Sequence, residues 1–157
     1  LAIPILKDEM VVELKTIQEH KEKILYDNPV FLMAGGFGKR LRPLTDNTPK
    51  PLLKIGDKPI LEIILQKFID SGFYDFFIST HFMPEKITKY FGDGSQFGVK
   101  IQYIFDSSPR GTAGALMDAL PQLEEQFLTI YGDVFFDVDL VGCLFMFTAP
   151  DSWQCQH

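Results

Sequence analysis

Residues 34–41 read Ala34, Gly35, Gly36, Phe37, Gly38, Lys39, Arg40, Leu41. Glycines leave backbone N–H groups open to close approach, and neighbouring cations answer phosphate charge. The positive charge continues past this loop. Residues 35–58 carry Lys39, Arg40, Arg42, Lys50, Lys54 and Lys58 against Asp46 and Asp57, a sum of +4. Residues 1–34 sum to −2 and residues 59–157 to −8, for a net −6. An acidic chain that gathers its positive charge into one glycine- and proline-rich segment is a candidate phosphate binder. A solvated surface loop fits the charge equally well. The loop is not a Walker A loop, which needs a Lys-Ser/Thr pair after its last glycine. Nor is it the dinucleotide fingerprint, whose third glycine would fall at Leu41.

Other candidates lie downstream. Asp133 follows Gly132 at the end of an apolar run; it either caps a turn or offers a hard oxygen to Mg²⁺. Gly111 and Thr112 open a helical pattern and serve either as a plain cap or as an anion-facing helix start. His81 has no carboxylate or thiol at metal spacing and reads as near a base pocket or on the surface. Asp137 and Asp139 read as solvated rather than liganding. Lys39 and Arg42 read as surface charges or minor phosphate contacts.

The patterns around these residues set what must position them. Residues 1–17 read as a β-hairpin, Ile3 to Leu6 and Met10 to Leu14, and residues 18–27 as a polar short helix or linker. Pro29 to Ala34 is a short apolar run that suits a buried strand. Pro59 to Asp70 has a helical apolar period, with Asp57 as a cap and Ser71-Gly72 as a stop. Phe73 to Thr80 is a second buried strand. Pro84 to Phe91 reads as a helix with Ile87, Tyr90 and Phe91 on one face. Lys100 to Phe105, Thr112 to Leu120 and Phe127 to Tyr131 read as strand, helix and strand. Beyond Leu140 little pattern remains. This alternation predicts an α/β fold, a three-layer, mostly parallel sheet. Ligands bind at the carboxyl ends of such strands. The basic loop, Thr80-His81 and Asp133 all fall there. The Phe-rich runs at 73–77 and 135–136 read as core.

The longer string, residues 32–52, runs from Leu32 through Gly36, Gly38, Arg40 and Leu41 to Pro49, Lys50 and Pro51. It resembles the signature of the sugar-nucleotide pyrophosphorylases, the nucleoside-triphosphate:sugar-1-phosphate nucleotidyltransferases. The likeness continues at Gly56 to Leu61, Tyr90 to Gly94, Gly111 to Leu116 and Tyr131 to Asp133, and covers about residues 29–140. It implies a Rossmann-like nucleotide-binding half of a nucleotidyltransferase fold. It also implies transfer of a nucleotidyl group from a triphosphate to a sugar-1-phosphate with release of pyrophosphate, guanylyl transfer to a mannose-like or amino-sugar phosphate being the guess. By the same resemblance Arg40 steadies the leaving pyrophosphate. Lys50 contacts the α-phosphate and the sugar phosphate. Ala34, Gly35, Gly36, Gly38, Lys39, Gly111 and Thr112 hold the nucleotide, and Asp133 binds Mg²⁺.

A length of 157 residues, 46% of them hydrophobic and 23% charged, suits one globular domain. The acidic balance argues against a nucleic-acid surface. No apolar run is long enough to span a bilayer, and no secretory signal pattern is evident. Two cysteines, Cys143 and Cys155, exclude a disulfide framework and make a reducing cytoplasm the default. The opening at Leu1 reads as mid-pattern. Residues 1–17 also resemble the end of a CBS domain, with 18–28 then a linker and 29–140 the nucleotidyltransferase portion. Residues 141–157 read as an atypical tail. The rival expectation is a truncated nucleotide-binding fragment without catalysis, a homo-oligomer if its open sheet edge pairs with a copy.

Overall fold

Short apolar strand runs and period-3.6 segments alternate along the chain, and they fold accordingly. The computed structural model describes residues 2–7, 10–16, 24–105, 111–123, 126–134 and 136–148. Strands β1 (Ala2–Lys7) and β2 (Met10–Thr16) pair antiparallel, as the hairpin reading expects. Most of the expected linker, residues 18–23, lies outside the described residues. Next come β3 (Val30–Met33), the two-residue antiparallel pair β4 (Lys54–Ile55) and β5 (Lys58–Pro59), and helix α1 (Ile60–Asp70). They are followed by β6 (Asp75–Thr80), α2 (Pro84–Phe91), β7 (Lys100–Phe105), α3 (Gly111–Ala119), β8 (Leu128–Tyr131) and α4 (Leu140–Thr148).

Four strands form one sheet in the order β7-β6-β3-β8, each neighbour parallel. The two central strands, β3 and β6, are buried on both faces, as inner parallel strands require, whereas the edge strands β7 and β8 are partly exposed. Val30, Leu32, Phe76, Ile78 and Ile101 pack on one face with Leu61, Ile64, Leu65 and Phe68 of α1, Ile87 and Phe91 of α2, and Leu140 and Leu144 of α4. Phe31, Phe77 and Ile104 point the other way, against Ala115 and Ala119 of α3. The expected three layers are therefore present, with α3 alone among the described helices opposite the other three.

Three local expectations change. The start of α1 is Pro59, and no side chain caps it, so Asp57 is not the cap. The reason is the β4–β5 pair, which takes Lys58 and Pro59 into its ladder and delivers the chain directly into the helix. Tyr90 does not lie on the buried face of α2; its ring is partly exposed and its hydroxyl donates to Glu62 Oε2 of α1 at 2.6 Å. That bond, then burial and the Glu62 charge, push the phenol up to about 12. Finally, the segment after Leu140 is helical. Asp139 starts α4, its carboxylate accepting from Gly142 N at 2.9 Å while its carbonyl accepts from Cys143 N at 2.9 Å. This helix is apolar all round, so it carries no amphipathic period to read. Residues 149–157 lie outside the described residues.

Candidate active site

Strand order decides where a site can be. β3 is first in the chain, and its neighbours are β6 on one side and β8 on the other. The order therefore reverses between β3 and β8. In open α/β sheets the ligand crevice lies at the carboxyl ends beside this reversal. The glycine loop leaves the end of β3 and Asp133 follows the end of β8. The backbone ties both to the sheet: Ala34 N donates to Ser79 O at 3.0 Å and Gly132 N donates to Met33 O at 2.8 Å.

The loop is shaped by a few specific contacts. Gly38 has φ +60°, a left-handed conformation that favours glycine. A Cβ there would also fall 2.8 Å from Thr45 Cγ2 and 3.2 Å from Lys50 Cβ. Thr45 is buried, and its hydroxyl donates to Gly38 O at 2.9 Å. Thr45 therefore closes the loop on itself. Gly36 has open space where a Cβ would sit, and Gly35 runs along His81. Lys39, Arg40 and Leu41 form a single 3₁₀ turn. Lys39 and Arg40 are exposed, and Lys39 Nζ lies 5.3 Å from the Phe37 ring centroid. Arg42 pairs with Asp46 at 3.4 Å, so it is partly neutralised within the loop.

Lys50 opens a second 3₁₀ turn, Lys50–Leu52, whose Pro51 is buried. Its ammonium donates to Asp133 Oδ2. The side chains of both partners are about one-third exposed (31% each), so water screens the pair. Such a pair is worth about 1 kcal/mol at most. A pair that weak leaves the lysine open to exchange its carboxylate for a more highly charged anion.

Among the described residues no group of three or more His, Cys, Asp or Glu side chains could hold a metal. Mg²⁺ takes one or two carboxylates and completes its shell with phosphate oxygens and water. Asp133 is suited to be that carboxylate. Asp139 is occupied in capping α4 and Asp137 is exposed. Gly111 starts α3, which follows the parallel β7 and so begins at the same sheet edge as the loop. The side chain of Thr112 and residues 106–110 lie outside the described residues.

The sequence reading missed two contributors. Thr45 carries no signal in the sequence, and its burial is what makes it a lock. Phe37 stands between two glycines, and its ring packs on His81 and Phe82 at centroid distances of 5.0 and 5.7 Å.

The nucleotidyl transferase family model matches residues 30–150. The chain belongs to the nucleotidyl transferase family. It is 42% identical over 115 residues to an N-acetylmuramate alpha-1-phosphate uridylyltransferase of Neisseria meningitidis serogroup B, covering 71% of this chain and 49% of that one. It is 35% identical over 109 residues to a D-glycero-alpha-D-manno-heptose 1-phosphate guanylyltransferase of Campylobacter jejuni, covering 69% and 49%. Its fold resembles the crystal structure of HddC from Yersinia pseudotuberculosis complexed with GMP-PN. That likeness has a TM-score of 0.68 at 27% identity and covers 79% of this chain and 55% of that one. The chain thus spans about half the length of the curated relatives it matches. The family match and the parallel sheet support the α/β, Rossmann-like expectation. Among the described residues no helix is long and apolar enough to cross a membrane.

Proposed function

We propose that this nucleotidyl transferase chain grips the nucleotide in a reaction between a nucleoside triphosphate and a sugar-1-phosphate. A sugar-phosphate oxygen attacks the α-phosphorus. The new O–P bond forms as the bond to the β-phosphate oxygen breaks, and its electron pair leaves with pyrophosphate. Both reactants are anions, so charge neutralisation and alignment are the main demands. The glycine-loop amides of residues 35–38 receive phosphate oxygens, with Ala34 at the base of the loop. Arg40, with its planar fork, steadies the departing pyrophosphate, and Lys39 adds charge beside it. Lys50 exchanges Asp133 for the α-phosphate and the incoming sugar phosphate. Gly111 and Thr112 present the start of α3 to the nucleotide. Asp133, with phosphate oxygens, would hold Mg²⁺, which supplies charge neutralisation and orientation of the phosphates.

The observation that carries this reading is the meeting of Lys50 and Asp133 beside the glycine loop, at the reversal of strand order. No Ser-His-Asp set is required, because no covalent intermediate forms. A reducing cytoplasm suits the free thiol of Cys143 and the nucleotide substrates.

The test is a thermal-shift series with ATP, GTP, CTP and UTP, each with and without Mg²⁺, alongside a pyrophosphate-release assay with sugar-1-phosphates. The two relatives described differ in base, so UTP and GTP lead the series. A magnesium-dependent rise in Tm with one triphosphate supports the nucleotide site, since ligands that bind only the folded state stabilise it. No rise with any triphosphate overturns it. The second reading, nucleotide binding without transfer, draws on the chain's coverage of about half of each relative. A Tm shift without pyrophosphate release favours it.

A further inference from the structure

Phe37 stands between two glycines in the loop, and nothing in the chemistry proposed above uses it. A phenylalanine there adds apolar surface to a phosphate-binding segment, and it is 38% exposed. Its ring is nevertheless engaged on several sides. The His81 ring meets it edge-on, with centroids 5.0 Å apart and planes at 81°. Phe82 lies 5.7 Å away, tilted at 50°. The Lys39 ammonium sits 5.3 Å from its centroid. His81 and Phe82 follow directly on β6. The next residue, Met83, adopts φ +49°, a left-handed conformation unusual for a side-chain-bearing residue. Such strain persists only where the surroundings hold it in place.

The rest of the loop explains why a staple is needed. At its far end Thr45 holds Gly38, and at its near end Ala34 is bonded to Ser79. Gly36 between them has open space where a Cβ would be. Glycine without neighbours is the residue with most conformational freedom to lose. The ring of Phe37 is the side chain that pins this middle stretch to the β6 end.

We propose that Phe37 is a positioning residue. Its ring, held by His81 and Phe82, fixes the Gly36–Lys39 backbone against the end of β6 in the conformation that receives phosphate, and it parks the Lys39 ammonium beside that backbone. This rests on the reading of the loop as a phosphate site. Ordering the loop before the ligand arrives removes that cost from binding.

Backbone 15N order parameters over residues 35–39 of the ligand-free protein test the staple. Titration with magnesium pyrophosphate, a probe independent of the base, tests its consequence. In F37A the order parameters fall into the flexible range, below about 0.6, and pyrophosphate affinity falls about 10-fold, the scale expected when two ring contacts and a cation–π contact go. Tm changes little, because Phe37 belongs to neither core cluster. F37Y restores both readouts. F37L, which keeps bulk but loses the π face, restores neither in full. H81A reproduces part of the F37A effect, and the double variant is no worse than F37A. Unchanged order parameters in F37A overturn the proposal, and so do lowered order parameters with unchanged pyrophosphate affinity. Wild-type protein that binds no magnesium pyrophosphate overturns the phosphate-site reading itself, and the positioning role with it. In that case the order parameters still report whether Phe37 orders the loop, so the two failures are told apart.

Discussion

The two turns that meet at the crevice are built in opposite ways. The loop after β3 is exposed, and its cations stand on long flexible stems. A few contacts hold it: the Thr45 bond to Gly38, the Phe37 ring and the ends of the 3₁₀ turns. The turn after β8 is set into the core. Gly132 is buried, and a Cβ on it would fall 2.9 Å from Leu61 Cδ1 and 3.2 Å from Met33 O. Beyond it, Phe136 packs on Phe68 at 5.6 Å, and Lys67 donates to the Phe136 carbonyl at 2.5 Å. The backbone on either side of Asp133 is therefore held by packing, whereas Lys39 and Arg40 stand exposed. This suits phosphoryl chemistry, in which a metal-orienting carboxylate must stay still while the neutralising groups track moving charge.

Substitutions can break or sharpen this contrast. The largest effect belongs to the charged pair. K50A and D133N should each lower pyrophosphate release by at least about 10²-fold, the scale for losing one preformed electrostatic contact in a transition state. Tm should move by no more than the small worth of a screened pair. Activity close to wild type in either variant would remove the mechanism. Next, G132A should cost about 1–3 kcal/mol of stability, read from the urea midpoint, since a methyl must displace Leu61 and the Met33 carbonyl. A neutral G132A would show that the β8 turn is not fixed by packing. T45V should cost about 1 kcal/mol by the same measurement, because it removes one of the two hydrogen bonds to Gly38 O, leaving that from Leu41 N. Its larger signature should be weaker triphosphate binding, since the loop end is freed while the core is intact. The smallest effect belongs to R42A. Its exposed partner Asp46 makes the pair worth less than about 0.5 kcal/mol, so stability should be unchanged and turnover nearly so. A large loss of turnover in R42A would move Arg42 into the phosphate-binding set.

Much of the fold was legible from short-range patterns. The apolar run at 30–33, the helical period at 60–70 and the glycines that end these segments are local, and local chemistry determines them. α4 carries no readable period because its sequence is apolar at nearly every position, and Asp139, expected as a solvated charge, caps it. Tyr90 was misplaced because its apolar ring carries a polar tip that reaches Glu62 across two helices.

The candidate site divides along the same line. The sequence by itself determined the residue types: a glycine loop that can approach phosphate, the cations Arg40 and Lys50, and a carboxylate at a strand end. Turn chemistry and charge act within a few residues, so they are visible in a string. Tertiary structure alone decided that Lys50 and Asp133, 83 positions apart, touch. That contact depends on β8 docking against β3 rather than at the far edge of the sheet. Strand order is settled by how the helices cover both faces, a sum over the whole core that no local segment records. The same holds for Thr45, which acts through its burial, and for Phe37, which acts through His81 and Phe82 brought beside it from the end of β6.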